Sequence, residues 1–167
     1  MQGPALYDQL TTLLRTTTDV SSVLLCLEEF AASFYSGKTH EEQQQILKKL
    51  SPQVSVLLTE AFAKELITPE NQIRIKRQID ELTDKLRTSK KLQMTLAFQP
   101  DEETITIFSN WIKKNVAQDL LLELHFDKSI VGGAVIIAGG EYRDYSVRKN
   151  LSNRFQIQRD EIMGLLG

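Results

Sequence analysis

A serine, a histidine and an aspartate, the three residue types that together perform acyl transfer, occur near one another as Ser129, His125 and Asp144. In such a set the histidine takes the serine proton and the aspartate orients the ring. The strained turn that exposes a nucleophilic serine is missing around Ser129, so the spacing does not support hydrolysis. His40 stands beside Glu41 and Glu42 at a helix start, where an exposed cap-region histidine is expected instead of a base or metal ligand. Cys26 is the sole cysteine, which excludes a disulfide framework or cysteine cluster within the chain. Its neighbours Val23, Leu24, Leu27 and Phe30 predict a buried structural thiol. One cysteine and two distant histidines do not make a tetrahedral metal set. The reading is therefore no catalytic residues, no cofactor-binding residues and no metal ligands.

The stretch from Asp127 to Leu151 holds four of the eight glycines and the longest uncharged run. Val131 to Ala138 is too short to span a bilayer and rich in β-branched residues, which predicts a buried strand. Gly139-Gly140 reads as a primed hairpin turn, with Glu141-Tyr142-Arg143 returning antiparallel. Gly132-Gly133 opens the strand, where missing side chains imply a bulge or a close approach of backbone. Neither glycine pair has the spacing of a phosphate-cradling loop that leads into a helix. Ser146 is placed to cap a final helix, with Val147, Leu151, Phe155 and Ile162 on one apolar face. Asp144 can accept from free N–H groups at that helix start, while Arg148 can pair with it or reach a partner.

This order of residues resembles the C-terminal signature of the delta subunit of F-type ATP synthases, called oligomycin-sensitivity-conferring protein in mitochondria. The matching positions are Asp127, Ser129, Ile130, Val131, Gly132, Gly133, Val135, Ile137, Asp144, Ser146, Val147, Arg148 and Leu151. Lys128 stands where the family usually has proline, and Tyr145 where glycine is common. The resemblance implies a non-catalytic stator subunit tying the catalytic head to the peripheral stalk. In that family an N-terminal six-helix bundle usually grips the N-terminal segments of the head's alpha subunits, and the C-terminal domain meets the b subunit.

Length and composition are compatible with this. The chain has 167 residues, 41% of them hydrophobic, enough for one domain or two small ones. A net charge of -2 leaves no electrostatic footprint for nucleic acid. No apolar run predicts a membrane span, and the early residues look like neither a secretory signal nor an Arg-rich transit peptide. A cytoplasmic protein is expected, and the resemblance implies a place peripheral to the inner face of an energy-transducing membrane.

Residues 1–90 read as five amphipathic helices. Pro4 suits the first helical position before Ala5 to Leu14, and Asp19 offers a cap for Val20 to Tyr35, ended by Gly37. Thr39 and Glu42 form a capping box, and Ser51-Pro52 and Thr68-Pro69 start two more helices. Ile75, Ile79, Leu82 and Leu86 form a seam for bundle packing, with a short coiled coil as the alternative. A groove between such helices can accept a partner helix. Five helices against the family's usual six, and a first helix lacking its common motif, mean that the resemblance assigns no head-binding residues.

From Thr88-Ser89-Lys90-Lys91 the period changes. Leu92, Met94, Leu96 and Phe98 alternate as a half-buried strand, and Asp101 to Glu103 precede a helix carrying Ile105, Phe108 and Ile112. Thr104 to Phe108 also has strand character. Leu120, Leu122, Leu124 and Phe126 then alternate into the signature stretch, with His125 on the polar side. The predicted fold is α+β and mostly helical, a helix bundle over 1–90 followed by a small α/β domain over 91–167. Val147, Phe155, Arg154, Arg159 and Ile162 are the candidate partner-binding set. A free-standing helical adaptor with the same fold is the second reading, and a small hydrolase the third.

Overall fold

The computed structural model describes residues 5–152, 154 and 155. Five helices come first: α1 (Leu6–Leu13), α2 (Thr17–Ser33), α3 (His40–Leu47), α4 (Pro52–Phe62) and α5 (Pro69–Arg87). They are followed by β1 (Lys91–Leu96), α6 (Glu102–Asn115), β2 (Leu121–Phe126), a 3₁₀ turn at Lys128–Ile130, β3 (Ala134–Ala138) and β4 (Glu141–Asp144). Residues 147–152 and 154–155 are helical and form α7. The fold is α+β and mostly helical, as expected.

Local hydrogen bonding explains most helix starts. Thr39 and Glu42 form the anticipated reciprocal box, with Thr39 N–H donating to Glu42 Oε2 at 2.7 Å. At α2 the cap is Thr16 and not Asp19. Thr16 Oγ1 accepts from Asp19 N–H at 3.1 Å, and Asp19 Oδ2 accepts from Thr16 N–H at 3.0 Å, so Asp19 is the return half of a box that starts one turn earlier. α2 also ends sooner than expected, at Ser33, and Gly37 lies beyond it at φ 68. Pro52 and Pro69 occupy first-turn positions where a missing N–H costs nothing. The expected role of Pro4 lies outside the described residues.

The bundle core closes on Leu10, Leu27, Phe30, Leu47, Leu58 and Leu86, all at or below 1% exposure. Ile75, Ile79, Leu82 and Leu86 are spent on it, so the seam of α5 packs inside the bundle. Burial of side chains this large is worth about 1.5–3 kcal/mol each.

The sheet order is β2-β1-β3-β4. β1 and β2 are parallel, joined by α6, while β1/β3 and β3/β4 are antiparallel. Thr104 to Phe108 is helical, settled by the Asp101 carboxylate accepting from Thr104 N–H at 2.8 Å. Leu92, Met94, Leu96 and Leu122 face Ile112 and Phe108 of α6. Alternation holds in β1, but Phe98 falls beyond its end and is exposed. In β2 alternation fails: Leu121 and Leu122 are both buried, because the bundle covers one face at Leu121 while α6 covers the other.

Candidate docking surfaces

The signature residues build one local device. Asp127 Oδ1 accepts from Ser129 N–H at 2.8 Å, starting the 3₁₀ turn, and Val131 ends it in the left-handed region at φ 67, exposed to solvent. β3 therefore begins at Ala134 and not at Val131. A β-branched side chain is strained at that φ, yet the turn delivers Gly132 and Gly133 to the start of α7. Val147 N–H donates to Gly132 O at 2.9 Å, and Tyr145 N–H to Ala134 O at 2.9 Å. Gly133 has φ +84, and a Cβ there would collide with the Tyr145 carbonyl oxygen and lie 3.1 Å from Ser146 Cα. Of the two readings of this pair, the close backbone approach is the one observed.

Asp144 and Ser146 complete the weld. Ser146 N–H donates to Asp144 Oδ1 at 2.8 Å, and the buried Ser146 hydroxyl accepts from Lys149 N–H at 3.2 Å, capping α7. Hydrogen bonding from the Ser146 side chain and backbone holds the Asp144 carboxyl below its usual range, and bonding from Ser129, backbone first, does the same for Asp127. Arg148 is exposed and forms no ion pair with another described residue. Gly139 and Gly140, at φ 57 and 84, make the primed turn between β3 and β4.

On α7 the apolar stripe faces solvent. Val147 is 42% exposed, Leu151 46% and Phe155 67%, with Arg154 exposed beside them. Arg159 and Ile162 lie outside the described residues. A stripe used by the chain's own sheet would be buried, so within the described residues this one is left for something else.

A second apolar surface lies in the bundle, where α1 meets α4. Tyr7, Leu13, Pro52, Val56 and Leu57 line a groove of about 1140 Å³. Among the described residues, Asp8, Glu60 and Asp119 are its charged residues, and no lysine or arginine lines it. Sequence reasoning anticipated a groove between two helices but did not assign it to α1 and α4. The available signal was Val56, an apolar residue off the buried Val54–Leu58 stripe of α4 and 59% exposed.

The residues that invited chemical readings are occupied locally. His125 Nε2 lies 3.4 Å from Glu123, Ser129 and Asp144 engage their own turns, and none of the three bonds another. His40 is half-buried, not exposed: its Nε2 lies 3.0 Å from Gln44 Nε2, while its buried Nδ1 has no hydrogen-bond partner among the described residues. The Cys26 thiol donates to Ile46 O at 3.2 Å, and burial pushes it up to about 11. Among the described residues, no group of three or more His, Cys, Asp and Glu is placed to hold a metal, and no helix is long and apolar enough to cross a membrane.

The family described as ATP synthase delta (OSCP) subunit matches residues 7–156, which takes in the bundle, the sheet and the start of α7. The chain belongs to the ATP synthase delta (OSCP) subunit family. Members of this delta family are structural stator subunits of the peripheral stalk, not catalytic ones. No curated protein matches the chain. Among solved structures, it is similar to a chain in the cryo-EM structure of the Toxoplasma gondii mitochondrial ATP synthase hexamer, at 17% identity and a TM-score of 0.33, covering 84% of this chain and 83% of that one. Within the delta-family match, the signature residues now have a structural role: Asp127, Gly132, Gly133, Asp144 and Ser146 fix where α7 leaves the sheet, while Arg148 and Leu151 remain exposed on it.

Proposed function

We propose that this delta-family chain is the connector of the stator in a rotary F-type ATP synthase, holding the catalytic head to the b-subunit stalk during proton-driven ATP synthesis. The 1–90 half takes the head end, through an alpha-subunit segment seated between α1 and α4. The 91–167 half takes the stalk end, through the apolar side of α7. Rotation puts torque on the head, and a tether that resists it needs two separate docking surfaces on a stiff body. The observation that carries this reading is the exposed stripe Val147, Leu151 and Phe155 on a helix whose start is welded to the sheet. An anchored helix whose apolar side chains are left part-exposed by the described residues suits a partner helix.

Affinity isolation of the intact protein from its native source tests it. Recovery of head and peripheral-stalk chains supports the connector, and recovery of neither supports an adaptor working outside the synthase. Truncation before Val147 should release the stalk and retain the head. If that variant still captured the stalk, or released the head instead, the two ends would be wrongly assigned.

A further inference from the structure

α6 spends one side on the sheet and leaves the other bare. Ile112 and Ser109 are buried, with Ile112 and Phe108 packed on Leu92, Met94 and Leu96. On the opposite side Ile107 is 58% and Trp111 62% exposed, four residues apart and so neighbours on the helix surface. Trp111 is the sole tryptophan of the chain. A solvent-facing tryptophan on a helix is an anchor of the kind that dominates interfaces. The charges of α6 divide in the same way. Asp101 caps the helix, Glu102 accepts from Arg15 Nη2 at 2.8 Å, and Lys113 Nζ donates to Thr11 O at 2.7 Å, to Thr12 O at 2.9 Å and to Leu14 O. These three are used within the chain. Glu103 and Lys114 are exposed and form no ion pair with another described residue. At 3.6 residues per turn, Glu103, Ile107, Trp111 and Lys114 fall within about 80° of one another around the helix. The bare side therefore reads acid, isoleucine, tryptophan, base along its length.

We propose that this side of α6 docks on the same side of α6 in a second copy of the chain, the two helices running antiparallel about a two-fold axis at the level of Ser109. The pattern is its own complement. Ser109 lies midway between Ile107 and Trp111, so the axis sets Ile107 of each copy against Trp111 of the other. Glu103 lies six residues before that level and Lys114 five after it, a mismatch of about 1.5 Å, so each glutamate meets the other copy's lysine. A parallel pair would instead put like charges together, and it would align the helix dipoles where the antiparallel pair opposes them. α6 has 14 residues and is about 21 Å long, too short a contact to supply the about 800 Å² per partner of a standard interface. The dimer is accordingly weak and forms at raised concentration. It is independent of the connector reading, which concerns α7 and the groove between α1 and α4.

Sedimentation and the fluorescence of Trp111, both on the full chain, test the dimer. Between about 5 μM and about 1 mM, the span of weak association, the mean mass should climb toward that of two chains. Over the same range the Trp111 emission should move to the blue and become harder to quench with acrylamide. Trp111→Ala should weaken association at least tenfold while circular dichroism stays unchanged, since the side chain is exposed. Glu103→Lys and Lys114→Glu alone should each weaken it by about three- to tenfold. An equimolar mixture of those two variants, in which every facing pair is opposite in sign, should associate at least as tightly as the parent, a gain that misfolded variants would not show. A chain that stays monomeric throughout, or a mixture no tighter than its components, would overturn the proposal. A monomer whose Trp111→Ala variant loses capture of head or stalk chains would assign this side of α6 to a different partner, and that also overturns the dimer.

Discussion

Gly133 and Tyr145 stand so close that the Tyr145 carbonyl oxygen occupies the space where a Cβ on Gly133 would go. Gly132, its neighbour, differs: a Cβ there would meet only the Val147 Cγ2 methyl, at 3.1 Å, and its φ is not in the left-handed region. Gly133→Ala should therefore cost about 1–3 kcal/mol, from positive φ and backbone collision together, and Gly132→Ala under about 1 kcal/mol. Denaturant melts of the two variants measure the difference, and equal costs would remove this account of the signature.

Asp127 and Asp144 titrate below the usual carboxylate range in the folded chain. The folded state thus binds fewer protons than the unfolded one near the ordinary carboxylate pKa, and the stabilisation is present above that value and lost as pH falls through the folded pKa values. In the Asp127→Asn/Asp144→Asn variant, stability should be lower at neutral pH and fall less steeply on acidification. Parallel pH profiles for variant and parent would contradict this.

Lys113 is shifted the other way from a paired lysine, as burial lowers it to about 8, with Asp19 opposing and Arg15 reinforcing the shift. Between about 8 and the ordinary lysine value the unfolded chain holds a proton that the folded chain has released, so stability should rise with pH across that window. Lys113→Met abolishes the rise. Melts at pH 7.5, 9 and 10 of both proteins report it, and a parent whose stability relative to the variant falls over that range would contradict the assignment.

Phe155, at 67% exposure, contributes little to the folded core. Phe155→Asp should leave the melting temperature within about 2 °C of the parent, while weakening capture of a b-subunit fragment at least tenfold. Charge reversal at Arg154 should weaken it by only about 0.2–1 kcal/mol, in a salt-sensitive way. A Phe155→Asp protein that bound the stalk fragment normally would place the stalk surface elsewhere.

What could be read from the residues alone was what depends on neighbours within about one helical turn or one hairpin. The Thr39–Glu42 box, the Ser146 cap, the Gly139-Gly140 turn and the seam from Ile75 to Leu86 are of this kind, since donor and acceptor, or adjacent apolar side chains, are a few residues apart. Aliphatic composition predicts strand at Val131, but it does not reveal that Asp127 turns the backbone first. The double burial of Leu121 and Leu122 was hidden because alternation reports one covered face, and only the docking of the bundle supplies the second. Lys113 and Arg15 look like ordinary surface cations in the chain; they meet their partners, 87 to 102 positions away, only when α6 lies across the end of α1. The apolar side of α7 was legible from its period, but that no described residue buries it depends on tertiary packing, in which α6, and not α7, lies on the sheet face of Leu92, Met94 and Leu96.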